Sequence, residues 1–241
     1  FSARLLPVGG IHREQPYRRL LPLEQAVQRW LDEPVGHLEQ AIPPEEKLRA
    51  ALPCSAVAAL FNQVQLSHTG ADISCTSLGN EPAGLAASVT MRAITAAYLF
   101  SNTLVVLEIT EEILRALLER CASYFTLENG TPRVSDAFLA PKVEHYNYDF
   151  FAGISYQFDL RQPVGRRLTR LSRLDGTPLG PGPLRLCTSN YRATGTGGYD
   201  ALRTCPVLWR GSVEMPELVA EYVRANSPVS LPCNGRMEAI W

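Results

Sequence analysis

The residues best placed to do chemistry lie in one stretch, Tyr191-Arg192-Ala193-Thr194-Gly195-Thr196-Gly197-Gly198-Tyr199-Asp200. Three glycines and two threonines separate an Asn-Tyr-Arg from a Tyr-Asp. Glycines let the backbone enter φ > 0 and let a ligand approach the main chain closely. A tyrosine at the far end would be held up by the loop rather than buried, a shape suited to gripping a flat ligand. The plainer alternative for such a loop is a mobile hairpin turn. Asp200 could accept a hydrogen bond from such a ligand, or could simply be a turn acid. Arg192 could steady a phosphate or the loop itself, and an exposed arginine beside a glycine loop is more often structural.

The rest of the chain offers little for catalysis. His12, His37, His68 and His145 are far apart in sequence and lack metal-ligand spacing. No Gly-x-Ser-x-Gly elbow and no phosphate-cradling Gly-x-x-x-x-Gly-Lys occurs. The six cysteines form no Cys-x-x-Cys pair, which argues against structural zinc. Cys121 and Cys187 sit among apolar residues and read as core thiols. Cys205 and Cys233 lie in proline-rich loops, where a bridge between them is conceivable. The residues therefore favour a binding surface over a catalytic one.

The elements that must hold such a surface follow from periodicity. Ala3–Val8 reads as a short strand-like piece. Leu23, Ala26, Val27, Trp30 and Leu31 fall at helical spacing, and Pro34 and Gly36 stop that helix. A single helix is expected over Leu48–Gln65, then a strand over 71–78 and a short helix over Val89–Ala97. Thr103–Ile109 reads as a buried strand, and Thr110-Glu111-Glu112 as a capped helix start. The region after Phe125 reads as irregular. Ile154–Leu160 alternates cleanly as a half-buried strand, Leu168–Leu174 suits another, and Leu184–Thr188 leads into the glycine loop. Tyr148, Phe150 and Phe151 suit core packing. Pro216 opens a last helix, and Met237–Trp241 suits an edge strand. Strands and helices mix without regular β-α-β alternation, which predicts an α+β fold with mixed sheets and packed helices.

Composition agrees with an ordinary globular chain of 241 residues: 46% hydrophobic, 20% charged, net charge −1. Dispersed Lys and Arg argue against a nucleic-acid polymer as partner. No apolar run approaches the ~20 residues of a transmembrane helix. An opening at Phe1 suggests a processed or excised piece of something longer.

An ordered set of motifs resembles the C-terminal domain of the 5′-nucleotidase family. It comprises Tyr146-Asn147-Tyr148-Asp149-Phe150-Phe151-Ala152-Gly153-Ile154-Ser155-Tyr156, Pro163-Val164-Gly165-Arg166-Arg167, and Asn190-Tyr191-Arg192-Ala193-Thr194-Gly195 through Tyr199. Ala71-Asp72-Ile73-Ser74 and Leu99-Phe100-Ser101-Asn102-Thr103-Leu104 match in the same order. Within the family the set looks most like the bacterial 2′,3′-cyclic-nucleotide 2′-phosphodiesterase/3′-nucleotidase branch, and Trp30–Gly36 looks like the segment joining the family's two domains.

The resemblance implies several expectations. Residues 1–35 would be the end of a preceding domain and a linker helix, and 36–241 the nucleotide-binding domain. No metal or catalytic residue is expected in this chain; two divalent metal ions would sit in an N-terminal metallophosphoesterase domain. The chain alone would then be inactive. Two rings would clamp a nucleobase, with Phe100 and Tyr199 at the matching positions. Stacking a base on both faces tolerates base identity and contributes ~1–3 kcal/mol per ring. Asn80 matches a region where relatives place an amide near base or ribose, although Gly79-Asn80-Glu81-Pro82 departs from the Gly-Gly-Ile-Arg of the 5′-nucleotidase branch. Asn102, Gly197, Gly198 and Asp200 complete the expected substrate-binding set. A secreted, periplasmic or wall-associated location is implied. Two rival readings are a non-catalytic cell-surface binding module and the equivalent domain of a UDP-sugar hydrolase.

Overall fold

A computed structural model describes residues 14–231 and 234–241; the strand-like piece expected at Ala3–Val8 lies outside them. Helix α1 (Glu14–Asp32) ends where Pro34 and Gly36 were expected to stop it, and β1 (Pro34–His37) follows. The single helix expected over Leu48–Gln65 is two: α2 (Lys47–Ala51) and α3 (Ala56–Thr69). Pro53 lies in the break, where its missing N–H and its ring are incompatible with a continuing helix. The Ser55 side chain then restarts the helix by accepting the Ala58 N–H at 3.1 Å.

Strand β2 (Ile73–Ser77), β3 (Ser88–Thr90), helix α4 (Met91–Ala97) and strand β4 (Thr103–Ile109) come next. Thr110 caps α5 (Glu111–Ala122) by accepting the Ile113 N–H. The region expected to be irregular contains a hairpin, β5 (Phe125–Glu128) and β6 (Thr131–Val134). Its turn is Asn129-Gly130, both at positive φ (51° and 75°), the pairing a two-residue hairpin favours. Strands β7 (Asp149–Ala152), β8 (Ile154–Asp159), β9 (Leu168–Arg173) and β10 (Leu184–Ser189) follow. A short α6 (Asn190–Ala193), strand β11 (Val207–Glu214), helix α7 (Met215–Ala225) and strand β12 (Arg236–Ile240) complete the chain. Strand β11 was not anticipated: its residues are mostly exposed and carry no alternating pattern.

The central sheet has the order β11-β4-β10-β2-β7. Only β10 and β2 run parallel; the other neighbours are antiparallel. This is the expected α+β architecture. Helix α3 packs on β2, β7 and β10, bringing Leu60, Phe61 and Val64 into the core. The chain leaves β7 for a second sheet, β12-β8-β9, through Gly153. Gly153 has φ 87°, and a Cβ there would strike the Asp72 carbonyl, so the corner admits no side chain. Strand β12 lies at the edge of this sheet, as expected for Met237–Trp241.

The topology fixes where side chains converge. Ser77 at the end of β2 is opposite Asp149 at the start of β7. Ser189 at the end of β10 is opposite Leu104 near the start of β4. The segments leaving β2 and β10 and those entering β4 and β7 therefore meet at one end of the sheet. Loops at such an end are free of ladder pairing and can carry binding groups on a rigid frame.

The thiols divide as well. Cys75, Cys121, Cys187 and Cys205 are free and buried, as expected for Cys121 and Cys187, so the conceivable Cys205–Cys233 bridge is not formed. Cys54 is disulfide-bonded. Burial pushes the Cys121 and Cys187 thiols up to about 12, so neither offers a thiolate near neutral pH.

Candidate functional site: an aromatic cleft at one end of the central sheet

A cleft of ≈ 290 Å³ opens at this end, lined by Ser77, Phe100, Asn102, Lys142, Tyr146 and Tyr191. Each comes from one of the converging segments or from the loop just before β7. Phe100 sits on the approach to β4 with its ring edge-on to Tyr146, centroids 6.3 Å apart. Behind it, Tyr98 meets Phe100 at 6.2 Å and Phe61 at 5.1 Å, both edge to face. That relay from the core fixes the Phe100 ring. The Asn102 amide donates to the Tyr98 hydroxyl at 3.4 Å, while its backbone carbonyl accepts from the Met215 N–H.

Tyr191 begins the glycine loop and is 46% exposed. Its position is set by its neighbours rather than by its own ring. The Asn190 side chain accepts the Thr103 N–H, tying α6 to β4. Hydroxyls of Thr194 and Thr196 donate to the Tyr191 carbonyl at 2.8 and 2.6 Å. Arg192, 2% exposed, forks onto Asp149 with Nε and Nη2 at 2.9 and 2.8 Å. It also donates to the carbonyls of Thr196 and Tyr146. This buried arginine ties the glycine loop to the Tyr146–Asp149 segment, as its structural reading expected.

The expectation that the loop holds Tyr199 up is not met. Tyr199 is 1% exposed, with the Arg192 guanidinium carbon 4.2 Å from its ring centre. Its hydroxyl accepts from the Asp149 N–H at 3.1 Å, donates to the Asn147 carbonyl at 3.2 Å and lies 3.0 Å from Cys121 Sγ. A ring with one face on a guanidinium and its hydroxyl fully engaged has no face to offer a base. The glycines do adopt φ > 0, at 82°, 75° and 88° for Gly195, Gly197 and Gly198. Their role is close packing: a Cβ on Gly197 would collide with Arg192 and Asn147, and one on Gly198 with Arg120. Arg120 Nε also donates to the Gly197 carbonyl at 2.8 Å. The loop is therefore buttressed from beneath, unlike a mobile hairpin turn.

The remaining expected residues separate. Phe100 and Asn102 line the cleft; Gly197, Gly198, Asn80 and Asp200 are not among its lining residues. Asp200 is exposed and pairs with Arg203 at 3.2 Å. Asn80 donates to the Val143 carbonyl at 3.0 Å, holding the loop that carries Lys142. Beneath the same turn, the buried Lys47 ammonium donates to the Leu78 and Gly79 carbonyls at 3.0 and 3.2 Å. Burial brings Lys47 down to about 7, against an opposing pull from Asp149.

Tyr191, Tyr146, Lys142 and Ser77 were missed as cleft residues. The signal for Tyr191 was available: it is the second residue beyond a strand, beside an asparagine and ahead of an arginine that packs inward. Tyr146 stood in the family-like motif without a role, and Lys142 had no signal, because it comes from a loop without periodicity.

These observations define the class: an α+β domain with an aromatic-walled cleft at the end of its main sheet. The chain belongs to the family described as the 5′-nucleotidase C-terminal domain, whose profile matches residues 34–204. Among curated proteins, it is 23% identical over 256 residues to the 2′,3′-cyclic-nucleotide 2′-phosphodiesterase/3′-nucleotidase of Haemophilus influenzae, covering 92% of this chain and 38% of that protein. It is 27% identical over 139 residues to the trifunctional nucleotide phosphoesterase protein YfkN of Bacillus subtilis, covering 52% of this chain and 9% of that protein. A Staphylococcus aureus protein described as a 5′-nucleotidase, solved in complex with α-ketoglutarate, superposes with a TM-score of 0.85 at 28% identity, over 96% of this chain and 45% of that one. A 5′-nucleotidase precursor from Thermus thermophilus shares the fold with a TM-score of 0.70 at 21% identity, over 93% of this chain and 43% of that one. The chain thus spans less than half the length of each.

Proposed function

We propose that this chain is the substrate-recognition part of a metal-dependent nucleotide phosphoesterase, a nucleotidase or 2′,3′-cyclic-nucleotide 2′-phosphodiesterase, gripping the nucleobase between Phe100 and Tyr191. The observation that carries this reading is the convergence of Phe100, Tyr146 and Tyr191 on one cleft in a chain of the 5′-nucleotidase family. A base offers two π-faces and needs rings on both sides. Tyr191 takes the place first expected of Tyr199, because it is the half-exposed tyrosine of the glycine loop. Asn102 and Ser77 supply polar atoms to the same cleft.

The hydrolytic chemistry would come from a metallophosphoesterase domain outside this chain, whose two divalent metal ions would polarise the phosphate and activate water. Among the described residues no group of three or more His, Cys, Asp or Glu is placed to hold a metal ion. These residues do not fit that centre, and no catalytic step is assigned to them. Residues 1–35 would form the connection to that domain, consistent with Leu20, Leu23, Val27 and Trp30 lying exposed along α1. The disulfide at Cys54 suits an oxidising compartment, in keeping with a secreted, periplasmic or wall-associated enzyme. No helix among the described residues is long and apolar enough to cross a membrane.

Titration with 3′-AMP, followed by tyrosine emission, tests the clamp. Phe100→Ala and Tyr191→Ala should each weaken binding by ~5- to 100-fold, the loss of one stacked ring. Unchanged affinity in both variants would remove the clamp. A phosphatase assay on this chain with added Mn²⁺ should show no turnover, and substantial turnover would overturn the division of labour.

A further inference from the structure

We propose that Lys142 makes the cleft select nucleobases bearing a carbonyl rather than an amine on the edge facing it, that is hypoxanthine, guanine and uracil over adenine and cytosine. This rests on the clamp reading above.

Lys142 carries the formal charge among the six lining residues; the others are three rings, an amide and a hydroxyl. Its ammonium is held in place, donating to the Tyr146 hydroxyl at 3.2 Å and lying 5.5 Å from the centre of that ring. The Tyr146 hydroxyl in turn donates to Glu144 Oε1 at 3.0 Å. The direction of this relay matters. Its one proton goes to Glu144, so the Tyr146 hydroxyl acts as acceptor towards Lys142 and has no proton for a ligand. The other oxygen of Glu144 accepts from the Asn147 amide at 3.0 Å, which keeps the carboxylate turned to its own segment. An ammonium has three donors and no acceptor. With one donor on Tyr146, the remaining two are available to the cleft.

The loop carrying this lysine is itself fixed. Asn80 donates to the carbonyl of Val143, the next residue. Hydrogen bonding to Tyr146 also holds the Lys142 ammonium above its ordinary range, so it stays charged throughout neutral pH. A donor-only cation at the rim of an aromatic slot complements O6 of hypoxanthine or guanine and O4 of uracil. It opposes the N6 and N4 amines of adenine and cytosine, which present hydrogens to hydrogens. Such matching discriminates because a mispaired polar group loses its water without gaining a partner. The stacking rings supply base-independent affinity, and Lys142 adds the choice.

Inosine and adenosine test this, since both lack phosphate and differ only at position 6 and the adjoining N1 proton. In calorimetric titrations of the intact chain, inosine should bind roughly 5- to 10-fold tighter than adenosine, the size of one hydrogen bond at a partly exposed rim. Uridine should exceed cytidine likewise. Lys142→Met should bring both ratios to about 1, and Lys142→Arg, still a donor-only cation, should keep them above 1. The selectivity is overturned if Phe100→Ala weakens both nucleosides while the wild-type ratio is 1 or survives Lys142→Met. If Phe100→Ala alters neither affinity, the clamp fails, and the selectivity with it.

Discussion

Tyr191 and Tyr199 stand at the two ends of one glycine loop and do opposite things. Tyr191 is half exposed and lines the cleft; Tyr199 is buried against Arg192 with its hydroxyl bonded into the start of β7. Side-chain chemistry does not separate them. Arg192 does. By forking onto Asp149 it pins the chain next to Tyr191, and its guanidinium carbon roofs the Tyr199 ring at 4.2 Å while standing off at 5.9 Å from the Tyr191 ring. One arginine makes the second tyrosine a foundation and leaves the first as a surface. An aromatic in a glycine loop is therefore a ligand candidate only where the loop's own anchors leave its face uncovered.

Breaking the anchor should erase the difference. Arg192→Met leaves the Asp149 carboxylate buried without its partner, which costs about 3–5 kcal/mol. Chemical denaturation should show that loss, and nucleotide affinity should fall too, because Tyr191 loses its fixed neighbour. Retained stability would mean the pair is not the loop's anchor.

The second experiment keeps the two roles apart. Tyr199→Phe removes a hydroxyl that accepts from Asp149 N–H and donates to Asn147, leaving a buried donor and acceptor short of partners. A loss of ~1–3 kcal/mol in stability is expected, with 3′-AMP affinity of the folded protein within about twofold, since the ring remains under Arg192. A large affinity loss at full stability would return Tyr199 to the clamp.

The smallest effect concerns the buried lysine beneath the turn that follows β2. Lys47, brought down to about 7 by burial, binds fewer protons folded than unfolded at any pH between about 7 and its ordinary 10.5. The unfolded state then holds the extra proton, so this residue's contribution to stability rises with pH above about 7 and is lowest below it. Between pH 7 and 8, wild type should gain up to ~1.4 kcal/mol relative to Lys47→Met. A parallel pH dependence in the two proteins would show that Lys47 does not titrate in this window. Buried thiols such as Cys187, raised to about 12, act in the opposite sense at higher pH and set the upper limit of the useful range.

Much of the fold was legible because it rests on local signals. Thr103–Ile109 carries the continuous apolar run Leu104–Leu107, Ile154–Asp159 alternates, and Thr110 and Pro216 mark helix starts by capping chemistry and by the fixed φ of proline. The breaks in legibility are also physical. Pro53 divides one apolar stripe into α2 and α3, and periodicity does not see the division. The Asn129-Gly130 turn is a local hairpin signal set in a segment that otherwise lacks periodicity. Strand β11 is exposed along most of its length and exists because β4 offers it a free edge; nothing in its own residues requires it.

The site divides along the same line. The sequence alone determined the family resemblance, the α+β class, the positive-φ glycine loop, and Phe100 and Asn102, since each rests on residue type and order. Only the tertiary structure decided which tyrosine of the loop faces the cleft and that Tyr146 and Lys142 join it. The reason is that sheet register, Ser77 opposite Asp149 and Ser189 opposite Leu104, brings together segments far apart in sequence. A buried ion pair then chooses which rings remain outside.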